Sequence, residues 1–150
     1  MRIMLQSKYL ERVKSFQAHE CAYAFLKDDE GTFYLLIHGA EDEHQDPIKG
    51  MVALDGWVGR PVDLLNSWQD SVEQLRVERI VLLTCFAGWH TATATKYGTV
   101  VEPVGPYFGP IGFFSTDDSD GGITILDMCP LDLEDEARAA GLLKEGSYNV

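Results

Sequence analysis

Two apolar segments joined by a helix-forming stretch constrain the fold of this chain more than any other feature. Residues 33–39 read FYLLIHG and residues 80–85 read IVLLTC, and both are apolar almost to their ends. Such runs are typical of strands covered on both faces of a sheet. Because a helical stretch lies between them, we predict that residues 33–38 and 80–85 are neighbouring parallel strands of a β–α–β unit.

The stretch between these runs has the clearest helical pattern in the sequence. Large apolar side chains recur there at three- and four-residue steps: Leu65, Trp68, Val72 and Leu75. Pro61 stands where the first turn of a helix tolerates proline. We therefore predict one amphipathic helix over residues 61–77 that packs on the sheet through this stripe.

The remaining elements are predicted from shorter patterns. In chain order we expect a strand at residues 1–5, a helix over residues 7–19, a hairpin of strands at 21–28 and 32–39, a loop over residues 40–59 in which 51–54 is an optional short strand, strands at 99–105 and 121–129, and a closing helix at 131–146. The chain has 150 residues, which suits one compact domain. The predicted fold class is α/β, a single domain over residues 1–150 with a mixed, mainly parallel sheet flanked by helices.

The charge of the chain narrows its partners. The net charge is −12, and most of the excess acid lies in residues 101–150. No basic stripe is available to displace counterions from phosphates, so direct binding to a nucleic-acid backbone is not expected. An acidic face suits a basic protein partner, and it also serves solubility.

Cysteine usage and hydropathy indicate where such a chain resides. The three cysteines, Cys21, Cys85 and Cys129, are too few and too scattered for a disulfide framework or a zinc cluster. No apolar stretch is long enough to cross a membrane, and the first residues become charged too soon for a signal-peptide core. We expect a cytoplasmic protein without membrane contact, cofactor or metal.

The ends of the two apolar strands carry the residues best suited to chemistry. His38 and Cys85 both stand at carboxyl ends, where open α/β sheets place their ligand crevice. A thiol is a nucleophile when a neighbouring base favours its thiolate, and an imidazole supplies that base and later an acid. Gly39 allows close approach of the backbone, and its N–H could face a developing oxyanion together with that of Cys85.

This arrangement resembles the caspase-like cysteine peptidases, the group of caspases, metacaspases and CHAT peptidases. The resemblance covers about residues 33–88 and rests on a strand ending in His-Gly, a helical crossover, and a strand ending in Cys with Gly88 close behind. Caspases carry their histidine roughly 50 residues before the cysteine. The resemblance implies a peptide substrate, with Cys85 as nucleophile, His38 as general base and acid, and Gly39 as an oxyanion donor.

Other residues enter as supporting or competing candidates. Asp42 and Glu43 are predicted to bind substrate, because acids near the cleft suit a basic side chain before the scissile bond. Trp89 is predicted either to flank the cleft and bind substrate or to cover the edge of the sheet. His90 is a local alternative partner for Cys85. A metal site from His38, Asp42 and His44 has no ligand motif behind it, so no metal is expected.

A different class of function remains open beside the enzyme. A non-catalytic protein with the same fold could use its acidic surface to engage or inhibit a basic partner. The short chain and the acidic carboxyl-terminal third favour this alternative, whereas the paired strand ends favour the peptidase.

Overall fold

A computed structural model of the protein describes residues 5–14, 16, 23–105, 108–130 and 148–149. The strands of this part of the chain are β1 Leu5–Arg12, β2 Tyr23–Lys27, β3 Phe33–Glu41, β4 Pro47–Leu54, β5 Trp57–Gly59, β6 Arg79–Leu83, β7 Thr93–Ala94, β8 Val100–Pro103, β9 Ile111–Asp117, β10 Gly122–Pro130 and β11 Tyr148–Asn149. The helices are α1 Pro61–Ser67 and α2 Gln69–Leu75, and a one-turn 3-10 helix covers Ala87–Trp89. The closing helix predicted at 131–146 lies outside the described residues.

One mixed sheet forms the frame of this α/β domain. Its strand order is β11-β9-β10-β1-β2-β3-β6-β8-β7, and β4 extends from β3 and carries β5 on its other edge. The first part of β3 pairs with both β2 and β6, whereas from His38 onward β3 pairs with β4. The hairpin of β4 and β5 is thus an arm that continues past the carboxyl edge of β6.

The predicted parallel pair is confirmed. β3 and β6 run parallel with Phe33 opposite Ile80 and Leu36 opposite Leu83, and α1 and α2 lie between them in the chain. The expectation of a mainly parallel sheet is wrong, because in the described residues only β3/β6 and β6/β8 are parallel and the other pairs are antiparallel. Tight turns join β2 to β3, β3 to β4, β4 to β5 and β9 to β10, and a tight turn can join only antiparallel strands.

The helix predicted over residues 7–19 is wrong in its first half. That segment forms β1, which pairs with β10 from Leu5 opposite Met128 to Glu11 opposite Gly122 and touches β2 at its end. Leu10 is fully buried while its neighbour Tyr9 is largely exposed, as the alternation of a strand requires. Pairing with a distant strand overrides the local helical pattern here.

The long loop predicted over residues 40–59 is also wrong. β3 continues to Glu41, and the segment then forms β4 and β5, so the option of a strand at 51–54 fell within β4. Asp55 and Gly56 both have positive φ, 44° and 84°, in the two-residue turn between β4 and β5. Asp-Gly is the sequence signature of this type I′ hairpin turn, so this dipeptide was the local signal that indicates a hairpin here.

The helix predicted at residues 61–77 is present as two short helices. The helix is interrupted at Trp68, whose φ of −97° and ψ of 25° depart from helical values. α2 is followed by Arg76, whose backbone lies in the left-handed region and ends the helix. Leu65 and Val72 are fully buried, and Trp68 and Leu75 pack partly buried against the same cluster. The apolar stripe therefore faces the sheet as expected, on helices with a bend between them.

The two faces of the sheet bury separate clusters. The helix-side core lies between the helices and the sheet and includes Phe25, Leu35, Leu65, Val72, Leu82 and Val101. The opposite core includes Leu10, Leu26, Leu36, Leu83, Ala87 and Ile111. Adjacent residues of one strand enter different clusters, as period-two alternation dictates. No helix among the described residues is long and apolar enough to cross a membrane.

Candidate functional site

The carboxyl ends of β3 and β6 bring Gly39 and Cys85 into contact. β6 ends at Leu83, and Cys85 follows after one intervening residue. A Cβ at position 39 would lie 3.0 Å from the carbonyl oxygen of Cys85 and 3.6 Å from its Cβ. Such a contact is tighter than nearly all real Cβ contacts, so a side chain at position 39 would displace the backbone of Cys85. Glycine at this position sets the distance between the two strand ends.

His38 and Cys85 lie on the same face of the sheet. Leu36 and Leu83 are register partners in the opposite core, and His38 and Cys85 stand two positions further along their respective segments. Cys85 packs partly buried against that core, and strand alternation puts His38 on the same face. The imidazole is exposed, and within the described residues no hydrogen bond joins it to the thiol.

The thiol of Cys85 is half-buried and held by the backbone of Ile111 at the start of β9. Its Sγ accepts the Ile111 N–H at 3.3 Å and donates to the Ile111 carbonyl oxygen at 3.4 Å. Burial raises the pKa of the thiol, the Ile111 amide opposes this by lowering it, and the Glu41 carboxylate raises it. Cys85 therefore rests as a neutral thiol at neutral pH.

A sharp turn follows Cys85 and directs the next residues away from it. Phe86 adopts a left-handed φ of 56° and donates its N–H to the Gly109 carbonyl oxygen at 3.0 Å. A Cβ at Gly88 would lie 2.8 Å from the ring of the exposed Phe108, so a side chain at position 88 would move that ring. His90, predicted as a local alternative partner for Cys85, makes no hydrogen bond with it in the described part of the chain and lines a cavity instead.

The predicted substrate-binding acids lie in the exposed turn between β3 and β4. The carboxylate of Asp42 accepts the N–H groups of His44 and Asp46 at 2.8 and 3.0 Å, which closes the turn. Glu43 lies 3.5 Å from the His44 ring. Their role toward a substrate stays a prediction, whereas the acid whose charge acts on the thiol is Glu41, which sequence reasoning missed. Its position at the end of β3, three residues beyond His38, was the available signal.

A cavity of about 280 Å³ lies at the carboxyl ends of β6 and β8. The side chains that line it include Lys49, Arg60, Leu82, Trp89, His90 and Glu102. Its floor includes Leu82 and Val101 of the helix-side core, so the cavity and the thiol lie on opposite faces of the sheet. Trp89, which was predicted to bind substrate, lines this cavity, and its role toward a substrate stays a prediction.

Aromatic and charged groups shape the cavity wall. Trp89 stacks on Phe86 with ring centroids 5.0 Å apart, and the Nζ of Lys49 lies 5.1 Å from the Trp89 centroid. Arg60 donates from Nε and Nη2 to the carboxylate of Asp63, at 2.9 and 3.0 Å. Glu102 is paired with Arg79. His90 is half-buried, and its burial lowers its pKa below the usual 6.5, which favours the neutral ring.

The described residues contain no group of three or more His, Cys, Asp or Glu side chains that could hold a metal ion. His38, Asp42 and His44 do not form such a group. Cys85 is a free cysteine.

Comparison of the chain with protein-family models, with curated protein sequences and with solved structures returned no match.

Proposed function

We propose that this protein is a small cysteine peptidase of the caspase-like type, with Cys85 as nucleophile and His38 as general base. The observation that carries the proposal is the alignment of two neighbouring strand ends. Leu36 and Leu83 are parallel register partners, and two positions beyond them, on the same face, stand His38 and Cys85. The close contact of Gly39 with Cys85 keeps these strand ends together.

The proposed chemistry is acyl transfer through the thiol. His38 takes the Cys85 proton as Sγ attacks the carbonyl carbon of a peptide bond, and the resulting imidazolium protonates the departing amine. Water, deprotonated by the same imidazole, then hydrolyses the thioester and restores the thiol. Because the pKa of Cys85 is raised, the proton moves during attack and not beforehand. The exposed His38 side chain has the rotameric freedom to approach the thiol when a substrate covers the site.

The second candidate is a non-catalytic protein of the same architecture that engages a basic partner through its acidic surface. The observation that favours it is the pairing of the Cys85 thiol with the Ile111 backbone, together with the lack of a His38–Cys85 hydrogen bond in the described residues. A half-buried, hydrogen-bonded thiol with a raised pKa is also typical of an unreactive structural cysteine.

Alkylation kinetics separate the two candidates. Iodoacetamide labelling of the full chain is followed from pH 5.5 to 9.5 by peptide mass mapping, in wild type, His38→Gln and the matched control His44→Gln. If His38 activates the thiol, Cys85 alkylation near neutral pH falls at least about tenfold in His38→Gln, because a positioned base contributes about a hundredfold or more. His44, in the exposed β3–β4 turn, should not matter.

A charge variant tests whether Glu41 affects the pKa of the Cys85 thiol. Glu41→Gln removes the carboxylate that raises the Cys85 pKa, so the labelling midpoint moves to lower pH, and Glu43→Gln leaves it in place. Equal alkylation rates for wild type and His38→Gln, or labelling of Cys85 only after unfolding, would reject the dyad and favour the binding protein. Cleavage of a mixed peptide library by wild type and not by Cys85→Ala would establish the peptidase.

A further inference from the structure

The cavity at the carboxyl ends of β6 and β8 is independent of the proposed dyad. It lies on the helix side of the sheet, whereas Cys85 packs on the opposite core. Its floor is made by fully or nearly buried apolar side chains, with Leu82 at 1%, Val101 at 4% and Val62 at 6% exposure. An apolar floor under a polar rim is the usual construction of a small-molecule site.

The charges around this cavity oppose the charge of the whole chain. The chain carries a net −12, yet the cavity is lined by Lys49 and Arg60 against the single acid Glu102. Glu102 is already paired with Arg79, and Arg60 with Asp63, so within the described part of the chain the unpaired charge on the rim is that of Lys49. Among the described residues no carboxylate lies within ion-pair distance of Lys49, whose ammonium is held beside the Trp89 ring. The rim therefore holds a cation for which the structure supplies no anion in the described residues.

Further donors line the same cavity as that ammonium. Arg60 uses Nε and Nη2 on Asp63 and keeps its other nitrogen, Nη1, for a further acceptor. His90 and Thr91 line the same cavity and provide a ring N–H and a hydroxyl. Cations together with neutral donors around an apolar floor match a carboxylate attached to a hydrocarbon body.

We propose that this cavity binds a small organic acid, with its carboxylate at Lys49 and Arg60 and an apolar ring over Leu82 and Val101. The volume of about 280 Å³ accommodates a body of about one ring and not a drug-sized ligand. The site neither uses the thiol nor depends on the peptidase proposal.

The test uses the full ¹⁵N-labelled chain and phenylacetate as the probe. Two matched compounds, neutral phenylacetamide and cationic phenethylamine, keep the ring and change only the charge. Two-dimensional NMR titration should show saturable shifts of the Trp89 indole N–H with phenylacetate, assigned by its loss in Trp89→Phe. The phenylacetate Kd should be about tenfold lower than that of either matched compound, since hydrogen bonds to charged groups are stronger than neutral ones and about 1.4 kcal/mol is tenfold.

Variants then locate the carboxylate. Lys49→Met keeps the apolar stem and removes the charge, and it should raise the phenylacetate Kd about tenfold, with Arg60→Met acting in the same direction. Lys27→Met is the control. Lys27 is an exposed cation far from the carboxyl ends of β3 and β6, because it is the register partner of Phe33 at the start of β3. Lys49 is itself exposed, so Lys49→Met should keep the wild-type fold, checked by the dispersion of its spectrum.

Three results would overturn the proposal. The first is the absence of saturable phenylacetate shifts up to 20 mM. The second is binding of phenylacetamide as tight as that of phenylacetate. The third is an unchanged phenylacetate Kd in both Lys49→Met and Arg60→Met.

Discussion

The two faces of the sheet place chemically different groups at the same carboxyl edge. On the face of the opposite core, Cys85 is a neutral thiol hydrogen-bonded to the Ile111 backbone, and its burial, together with the Glu41 carboxylate, raises its pKa. On the helix side, three residues before Cys85, Leu82 of β6 forms part of the floor of a cavity whose rim carries Lys49 and Arg60. The proposed nucleophile therefore lies on one face, and the proposed carboxylate site lies on the other.

This contrast follows from the alternation of a strand. Adjacent residues point to opposite faces, so Leu82 and Cys85, three positions apart, face the cavity with Lys49 and Arg60 and the surroundings of Glu41, respectively. The net charge of −12 describes the molecule as a whole and not either face. A function assigned from composition alone would have omitted the basic rim.

The largest expected effects come from truncating the two leucines that define the faces. Leu82→Ala and Leu83→Ala each remove a side chain that is at most 1% exposed, one from the helix-side core and one from the opposite core. Each should lower the free energy of unfolding by about 3 kcal/mol, measured by urea denaturation. A loss below about 1 kcal/mol for Leu83→Ala alone would mean that the opposite face is not a packed core.

Truncation of Trp68 and of Trp57 should lower the stability of the fold by different amounts. Trp68 stacks on Tyr23 with centroids 4.8 Å apart and meets the edge of Phe16 at 5.5 Å, at the bend between α1 and α2. Because it is only partly buried, Trp68→Ala should cost about 2–3 kcal/mol, at or below the lower end for large aromatics. Trp57→Ala, on the exposed β5 arm, should cost less than about 1 kcal/mol in the same urea denaturation measurements. Equal losses would remove the distinction between helix-side core and arm.

A smaller effect of opposite sign, a gain in stability, is expected from a substitution at Thr84, which lies between Leu83 and Cys85. Thr84 is fully buried, and its hydroxyl has no hydrogen-bond partner among the described residues. Thr84→Val keeps the shape and removes the unpaired hydroxyl, so it should stabilise the fold by about 1 kcal/mol in urea denaturation. Thr99→Val is the control, since the Thr99 hydroxyl donates to the Val77 carbonyl oxygen and its loss should destabilise. Destabilisation by Thr84→Val would show that the hydroxyl has a partner.

The smallest effect concerns pH on the cavity side. Burial lowers the pKa of His90 in the folded state below 6.5, so the unfolded chain binds its proton more readily. Stability due to neutral His90 is therefore present above 6.5 and falls as pH drops through 6.5 toward the lower folded pKa. Between pH 8 and 5, His90→Gln should lose less melting temperature than wild type, whereas the exposed-turn variant His44→Gln should match wild type. Parallel curves for His90→Gln and wild type would contradict this.

Much of the central frame was predictable from local sequence. Continuous apolar runs identified β3 and β6, the helical stripe between them indicated a parallel crossover, and the pairing confirms it. Residues at the strand ends, His38, Gly39 and Cys85, were therefore predicted to be neighbours, and Gly39 and Cys85 are in contact. Chain connectivity and period-two alternation suffice for this, because both are written in consecutive residues.

Only the tertiary structure decided the rest, because those features depend on residues far apart in the chain. β1 is a strand and not a helix because β10, more than a hundred positions later, supplies its hydrogen-bonding partner. The interruption of the helix at Trp68 is not marked by a local breaker residue, and the neutral state of Cys85 follows from its burial and from Glu41 of β3, against the opposing amide of Ile111 in β9. The cavity likewise joins residues of β4, β6 and β8 with the segment after Cys85. Local periodicity records which face a residue prefers, whereas pairing, burial and electrostatic surroundings are set by the distant segments that come to lie beside it.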